Sequence, residues 1–566
     1  MAEPESTRGT PGRALERVSG QVVDPVAGTI RPAEIEIAAG RIRALTPTEH
    51  PGPRYLVPGL VDAHVHVESS MLPPSEFARA ALVRGTVAAV ADPHEIANVL
   101  GEAGVRYMMA DGARVPLVFG FGAPPCVPAT AFETAGARLG PATVAALLAE
   151  PGVTHLSEVM NVPGVLAGDP DLAAMLAAAR RLGKPIDGHA PGLMGPGLRR
   201  YAEAGVGTDH ECATLAEARA RVALGMKVLI REGSAARNFD ALVPLLDEHP
   251  EACMLCADDT HPDDLVRGHI DDLVRRALAR GIDVMKVLRA ACVNPVRHYR
   301  LDVGLLQVGD RADFLELDSL DEFEIARTVV AGEVVAERGR SLLPRLPVTC
   351  PNAFEATPKT AADFALAAPP GPTPVTMPVI VAHDGQLVTE RLELAARVEA
   401  GRVVADPARD LLLLTVVNRY RDAPPALALV RGFGLTRGAL ASSVAHDSHN
   451  IVAVGADAGA LCRAVNLVIA HRGGIAAVDP ANETERAAER ILALPIAGLM
   501  SDRPYAEVAR AYEDLNELAA ALGSRQRAPF MTLSFMALLV IPALKLSDRG
   551  LFDGEAFSLL APATGA

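Results

Sequence analysis

Runs of apolar residues that end in polar ones recur through the first half of the chain. They alternate with stretches such as PATVAALLAE and DLVRRALARG, in which apolar residues recur at helical spacing. Repeated β-α units of this kind are typical of a parallel sheet covered by helices. Eight of the runs could be barrel strands: LVPGLVDAHVH, TVAAVADPHE, PLVFGFGAPP, VTHLSEVMN, KPIDGHAPG, GVGTDHECA, KVLIREGSA and ACMLCADDT. The pattern predicts an α/β fold built on a (β/α)8 TIM-type barrel, with the active site at the carboxyl ends of the strands.

Short alternating runs flank this central region on both sides. They occupy roughly residues 18–55 and return in VGDRADFLELDSL and ARTVVAGEVVAERG, which favours one small β-domain assembled from both flanks. A Pro- and Ala-rich stretch, ALAAPPGPTPVTMP, then precedes a further mixed region. We predict an N-terminal β-segment at 1–57, the barrel at 58–305, the return β-segment at 306–348, a linker at 349–377 and an additional C-terminal α+β domain at 378–566.

Composition narrows the class of partner. Of the 566 residues 49% are hydrophobic and 22% charged, as in an ordinary folded enzyme. The net charge of −15 and the lack of a dense Lys/Arg run argue against nucleic acid or an anionic membrane as the main partner, and leave a small molecule. By analogy with other barrel enzymes, we expect a homo-oligomer.

The cysteines and the chain ends predict a cytoplasmic location. Seven scattered cysteines suit a reducing compartment, and Cys253 and Cys256, in a strand-like run without a second pair, are interpreted as structural. The N-terminal twenty residues have no apolar centre, so they do not resemble a secretory signal. The run from Phe530 to Leu544 is too short to span a bilayer.

Six imidazoles and carboxylates stand at matching strand ends. His64 and His66 alternate along one strand, so they point the same way and can share a metal ion, although such a pair could equally be a satisfied strand end. Their companions are Glu158, His189, His210 and Asp258, at the ends of strands four, five, six and eight. Because these ends meet at one barrel mouth, the set predicts a metal site.

This pattern resembles the amidohydrolase superfamily, many of whose binuclear members bridge two metals with a carboxylated lysine on strand four. Here that strand has no lysine, and Glu158 is the carboxylate available to bridge. PGLVDAHVHVESSMLPPSEFA, TVAAVADPHEIANVLG, SEVMNVPGV, DGHAPGL, GTDHE, ADDTHPDDL, SSVAHDSHNI and PFMTLSFMALLVIPALKLSDRGLFD closely resemble the adenine deaminase family. The resemblance, over about residues 20 to 555, implies hydrolysis of adenine to hypoxanthine and ammonia in purine salvage.

Displacing an amine from an aromatic carbon needs a strong nucleophile at neutral pH. Two divalent cations that share a water can supply a hydroxide to attack C6 of the base. A ligand set of histidine and carboxylate suits Zn²⁺, Mn²⁺ or Fe²⁺, and the resemblance favours Mn²⁺ or Fe²⁺. Asp258 is the candidate proton shuttle, or simply a metal ligand, while strand alternation is expected to turn Asp259 away.

Further residues are candidates for contact with the purine. Asp92, His94 and Glu95 end strand two and could bind the base edge, with Glu95 also a candidate for a catalytic role. Structural support or helix capping is the alternative for these three. Arg231, Glu232 and Ser234 on strand seven are further candidates, or members of an internal ion pair. The segment His446–Asn450 is either a solvated turn or a loop that reaches the site.

Three other functions remain open at this point. The same centre could open a cyclic amide, as in hydantoinase-like and dihydroorotase-like relatives, which usually carry the strand-four lysine. It could remove the amine from N6-substituted adenines. A catalytically inactive scaffold is a third possibility, but such proteins usually lose metal ligands, whereas all six positions are filled here.

Overall fold

The chain begins with a β-sheet that it later completes. The computed structural model describes residues 14–370, 374–480 and 489–560. The first four strands are β1 (Arg17–Asp24), β2 (Thr29–Ala38), β3 (Arg41–Pro47) and β4 (Tyr55–Pro58). β1 and β2 pair antiparallel, and their inward residues Val22 and Ile35 are fully buried.

Eight short parallel strands follow and form the barrel. They are β5 (Leu60–Val65), β6 (Thr86–Ala91), β7 (Val118–Ala123), β8 (Val153–Val159), β9 (Ile186–Gly188), β10 (Thr208–Asp209), β11 (Lys227–Arg231) and β12 (Cys253–Cys256). Strands β5 to β9 pair in sequence order, as do β10 to β12. The backbone N–H of Gly207 donates to the Ile186 carbonyl at 2.8 Å, and that of Asp258 to the His64 carbonyl at 2.9 Å. These two bonds join the sheets into a ring, which confirms the predicted barrel.

Fourteen helices connect and cover the strands of this part of the chain. They are α1 (Pro74–Val83), α2 (His94–Leu100), α3 (Glu102–Gly112), α4 (Pro141–Leu148), α5 (Val162–Ala167), α6 (Pro170–Arg181), α7 (Gly195–Glu203), α8 (Leu215–Val222), α9 (Phe239–Leu242), α10 (Pro244–Glu248), α11 (Pro262–Arg267), α12 (Ile270–Ala279), α13 (Val284–Leu288) and α14 (Asn294–Tyr299). Helix α12 buries Ile270, Leu273, Val274 and Ala277, the spacing of one apolar helix face.

The chain then returns to its first sheet. Strands β13 (Phe314–Ser319), β14 (Glu324–Val330), β15 (Glu333–Glu337) and β16 (Arg340–Ser341) extend it in the order β16-β15-β14-β13-β4-β1-β2-β3. β13 pairs antiparallel with β4, with Phe314 opposite Pro58. Because β4 leads directly into β5, this sheet is fixed to the start of the barrel.

The remaining residues form a second large sheet with helices on it. Its strands and their small neighbours are β17 (Leu366–Ala367), β18 (Thr376–Val381), β19 (Glu390–Ala395), β20 (Arg397–Glu399), β21 (Arg402–Val404), β22 (Leu412–Val417), β23 (Ala426–Arg431), β24 (Ala439–Ser442), β25 (Ile451–Gly455), β26 (Gly474–Val478), β27 (Glu489–Ala493), β28 (Leu544–Ser547), β29 (Gly550–Asp553) and β30 (Ser558–Leu559). The large sheet has the order β19-β18-β23-β22-β25-β24-β26-β27. Its helices are α15 (Ala458–Ala470), α16 (Tyr505–Ala521) and α17 (Pro529–Phe535).

This C-terminal region packs on the mouth of the barrel. The Thr134 hydroxyl, in the loop after β7, donates to Asp548 at 2.7 Å, and the Asn450 amide donates to the Thr134 carbonyl at 2.8 Å. On the other side, the backbone N–H of Ala236 donates to the Gly385 carbonyl at 3.1 Å. The C-terminal region therefore covers the end of the barrel where the polar strand ends lie. Among the described residues, no helix combines the length and the apolar character needed to cross a membrane.

Candidate metal centre

The six residues that end strands one, four, five, six and eight come together. His64 lies at the end of β5 with His66 just beyond it, Glu158 lies within β8, and His189, His210 and Asp258 follow β9, β10 and β12. All six are buried. The rings of His64 and His210 are stacked with centroids 4.3 Å apart, although 146 positions separate them in the chain. The barrel ring therefore gathers these groups at one place.

Glu158 lies between two pairs of imidazoles. Its Oε1 is 3.6 Å from His66 Nε2 and 3.5 Å from His94 Nδ1. Its Oε2 is 3.0 Å from His189 Nδ1 and 3.3 Å from His210 Nε2. Each carboxylate oxygen thus faces its own pair of nitrogen atoms, an arrangement that lets one carboxylate contact two cations.

Asp258 completes the side of the cluster next to β5. Its Oδ1 is 3.5 Å from His64 Nε2 and 3.2 Å from His66 Nε2. Its Oδ2 accepts a hydrogen bond from Arg231 Nη1 at 2.6 Å. Asp258 has a φ of 54°, in the left-handed region that non-glycine residues seldom adopt and that often occurs at functional sites.

One specific observation indicates that these residues can hold a metal ion. Both ring nitrogens of His64 are buried and have no hydrogen-bond partner among the described residues. Leaving buried polar atoms unpaired is costly, so a further group is expected to accept the imidazole lone pair. Several sets have ligand atoms within 4.8 Å of one another, among them His66, Asp92, His94 and Glu158; His64, His210 and Asp258; and Glu158, His189 and His210. A histidine and carboxylate set of this kind suits a divalent transition metal.

Electrostatics within the cluster favour ionised carboxylates. Burial raises the pKa of Glu158, but the charges of His189 and His210 outweigh this effect and lower it to about 2. Burial also raises the pKa of Asp258, and the adjacent Arg231 guanidinium brings it well below its usual value. For His189, burial lowers the pKa, whereas Glu211 and Glu158 raise it to about 9. Concentrated negative charge of this kind attracts a cation.

Glu211 also belongs to the cluster, although the sequence patterns did not predict it as a site residue. Its Oε1 lies 3.3 Å from both His189 Nδ1 and His210 Nε2. Arg231 donates to both of its oxygens, at 2.6 and 2.8 Å. The available signal was its position directly after His210 in GTDHE, but nothing in the sequence indicated that Arg231 would bond to it.

The predicted substrate residues divide into two groups. His94, Glu95 and Arg231 line the cavity over the cluster, together with apolar residues that could pack on a planar ring: Met160, Leu387, Phe535 and Leu538. Asp92 lies beneath it: its Oδ1 accepts from the backbone N–H of His94, and its Oδ2 from that of Glu158, both at 3.1 Å. Asp92 therefore supports other site residues and is not exposed to the cavity.

Ser234 and Glu232 do not join the cavity. The Ser234 hydroxyl donates to Asp264 at 2.7 Å and accepts from the backbone N–H of His261 at 2.8 Å. Glu232 pairs with Arg276 at 2.7 Å. Both side chains lie beyond Arg231, where β11 has ended and strand alternation no longer sets direction. The geometry gives no support for substrate contact by either residue.

The expectation that Asp259 would turn away from the site was wrong. β12 ends at Cys256, and the left-handed backbone of Asp258 redirects the chain. Asp259 therefore lines the cavity beside Asp258, and its Oδ1 accepts a hydrogen bond from Ser69 Oγ at 2.5 Å. Cys253 and Cys256 are free, buried thiols within β12, away from the cavity.

The segment His446–Asn450 reaches the cavity from the C-terminal region. His446 Nδ1 contacts Glu95 Oε1, and His449 Nε2 contacts Glu95 Oε2. Asp447 Oδ1 lies 3.8 Å from His94 Nε2. The segment is buried, so it is not the solvated turn that was one of the two interpretations.

Comparison with known proteins identifies the family. The Amidohydrolase family model matches residues 55–335, and the Adenine deaminase C-terminal domain model matches residues 386–558. The adenine deaminase of Salinibacter ruber is 55% identical, over 96% of this chain and 98% of its own. The chain belongs to the adenine deaminase family. A second member, from a Sulfurovum species, is 52% identical over 95% of this chain and 98% of its own.

Membership confirms the family resemblance, the amidohydrolase barrel and the class of hydrolytic enzyme expected from the sequence. The cyclic-amide alternative is not favoured by these relatives. Among solved structures, N-acetyl-D-glucosamine-6-phosphate deacetylase from Mycobacterium smegmatis is 18% identical, covers 57% of this chain and 100% of its own, and has a TM-score of 0.45.

Proposed function

We propose that this protein hydrolyses adenine to hypoxanthine and ammonia, as a step of purine salvage. The observation that carries the proposal is similarity to adenine deaminases across both the barrel and the C-terminal region. Both parts line the same cavity, and all of its lining residues lie within the regions that match these families. We place the reaction in the cytoplasm and expect the protein to self-associate, which size-exclusion chromatography with light scattering tests.

We further propose that the centre holds two divalent ions, Mn²⁺ or Fe²⁺, with Zn²⁺ also compatible with the ligands. His64, His66 and Asp258 would hold one ion and His189 and His210 the other, with Glu158 shared between them. Such ions supply a hydroxide nucleophile at neutral pH by lowering the pKa of a water molecule. His94 and Glu211 lie at the edges of the two positions and are candidates for additional ligands.

The protein's own residues then move protons and orient the base. Asp258, held by Arg231 at one oxygen, is placed to accept the proton of the attacking water and pass it to the ring or to the departing amine. Glu95 faces the cavity and would accept a hydrogen bond from a ring N–H or from the exocyclic amine. Met160, Leu387, Phe535 and Leu538 would pack on the purine and limit the entry of bulk water.

The deciding experiment measures ammonia release by protein reconstituted separately with Mn²⁺, Fe²⁺ and Zn²⁺. Adenine, N6-methyladenine, hydantoin and dihydroorotate are supplied in parallel. We expect turnover of adenine with Mn²⁺ or Fe²⁺, and no opening of the cyclic amides. A preparation that binds both ions but turns over only a cyclic amide would overturn the proposal, and preference for N6-methyladenine would redirect it to substituted bases.

A further inference from the structure

Two histidines from the C-terminal region hold a carboxylate that belongs to the barrel. Glu95 lies in the first turn of α2, while His446 and His449 lie in the loop between β24 and β25. His446 Nδ1 contacts one Glu95 oxygen and His449 Nε2 contacts the other. All three residues are at most 3% exposed, so water does not compete for these contacts.

The backbone determines which nitrogen of His449 carries the proton. The N–H of Ala445 donates to His449 Nδ1 at 3.1 Å, so Nδ1 must present its lone pair. In a neutral imidazole the other nitrogen, Nε2, then carries the hydrogen. His449 is therefore a hydrogen-bond donor to Glu95. Because a nitrogen that bears a proton cannot bind a metal, this ring does not act as a metal ligand.

The loop that carries the two histidines is anchored from several directions. The buried guanidinium of Arg419 donates to the His449 carbonyl at 3.2 Å, and its backbone N–H donates to Asn450 Oδ1 at 3.1 Å. The Tyr420 hydroxyl donates to the Ser448 carbonyl at 2.6 Å. Asn450 also donates to Thr134 in the barrel. An imidazole on such a loop can fix the direction of a neighbouring carboxylate.

We infer that His446 and His449 are positioning residues, which hold Glu95 in the one orientation that serves the purine. The inference rests on the proposed function, because it assigns the use of Glu95 to that reaction. A free glutamate would sample several rotamers, and each wrong rotamer removes its hydrogen bond to the base. The C-terminal region is thus part of the catalytic machinery and not only a cover over the barrel.

The test replaces His449 in two matched ways. H449F keeps a ring of similar size but removes the donor, whereas H449Q places an amide N–H close to the former Nε2. We expect H449F to lower kcat for adenine about 10²-fold, the scale of a 1 Å misplacement, with bound metal unchanged. Its melting temperature should also fall, because the Ala445 N–H and Glu95 each lose a buried partner. H449Q should recover most of the loss. The control is H471F, since His471 is exposed in the same region and its ring hydrogen-bonds to the Leu467 carbonyl, away from the cavity.

A double-mutant cycle separates positioning from a structural effect. If His449 acts through Glu95, H449F should cause no further loss of kcat in the E95Q background, whereas independent effects would multiply. H446N and H446L form a second matched pair, since the Asn amide lies near the former Nδ1, and only H446L should show the loss. H449F with the parental kcat, or multiplying losses in the cycle, would overturn the inference.

Crystal structures of the parent and H449F give a readout that does not need activity. We expect the Glu95 carboxylate to leave its parental orientation in H449F; an unchanged carboxylate would refute positioning even in a protein inactive on adenine. A parent that releases no ammonia from adenine would instead refute the proposed function. The two failures are therefore distinguishable.

Discussion

Arg231 bonds to Asp258 through a single nitrogen, Nη1, at 2.6 Å from Oδ2, and leaves the other oxygen of Asp258 facing His64 and His66. The same nitrogen lies 2.6 Å from Glu211 Oε1. One guanidinium therefore holds carboxylates that belong to opposite sides of the cluster. Since all three groups are buried, removal of the guanidinium takes a cationic partner from two buried carboxylates at once.

We expect R231M to lower kcat about 10²-fold or more and to destabilise the fold by about 3–5 kcal/mol, as breaking a buried ion pair commonly does. R231K keeps the charge but lacks the planar fork that reaches both carboxylates, so it should restore stability more than activity. Ammonia release and urea unfolding measure the two effects. Parental kcat in R231M would contradict the role of Arg231 in orienting Asp258.

The position of Glu158 between two imidazole pairs predicts a change in metal content. In E158Q one carboxylate oxygen is replaced by an amide NH2 group, which is a poor metal ligand, so bound metal should fall from the proposed two equivalents to one or fewer. Activity should fall by more than about 10²-fold, which is already the upper cost of losing residues that merely support ligands. Elemental analysis beside ammonia release checks this. E158Q with two ions and full activity would remove the bridging assignment.

Substitution of Ser234, unlike that of Arg231 or Glu158, is expected to leave activity unchanged. Its hydroxyl joins Asp264 to the backbone of His261 and does not line the cavity. We expect S234A to cost about 1 kcal/mol in stability, the usual contribution of such hydrogen bonds, with kcat and KM for adenine unchanged. A rise in KM of tenfold or more would return Ser234 to the substrate site.

The positions of the metal-site residues at strand ends could be predicted from the sequence, because the direction of a strand's side chains depends only on its own backbone. Alternation placed His64 and His66 on one side, because the backbone is still extended at His66, just after β5. Parallel strands bring their carboxyl ends to one rim, which is where Glu158, His189 and His210 lie. The same reasoning failed for Asp259, since the strand had already ended and the left-handed φ of Asp258 altered the direction of the chain. Alternation is a rule for extended backbone, and it fails where a residue such as Asp258 leaves that conformation.

Contacts between segments far apart in the chain could not be predicted from strand geometry. Glu211 follows a predicted ligand, but its bond to Arg231 depends on how β11 lies beside β10. Glu95 and His449 are 354 positions apart, and only the packing of the C-terminal region on the barrel brings them together. The resemblance to a family indicated that the later segment mattered, but it contained no information about which barrel residue that segment touches.

Lys545 links the stability of the C-terminal wall to pH. Its ammonium is fully buried and donates to the carbonyls of Leu387 and Phe535, at 2.7 and 2.9 Å, and both of these residues line the cavity. Burial lowers the pKa of Lys545 to about 7 from the model-peptide value of 10.5. Between these two values the unfolded chain holds a proton that the folded protein lacks, so rising pH stabilises the folded state.

K545Q removes this titration and keeps a group able to donate to the same carbonyls. Relative to K545Q, the parent should therefore gain about 1.4 kcal/mol for each pH unit from about 7 towards 10, and should gain nothing below that range, where both states are protonated. Urea unfolding of the two proteins at pH 6, 7, 8 and 9 measures the difference, and groups common to both proteins cancel. A difference that stays constant from pH 7 to 9 would mean that Lys545 remains charged in the folded protein, and that its two carbonyl partners offset the cost of burial.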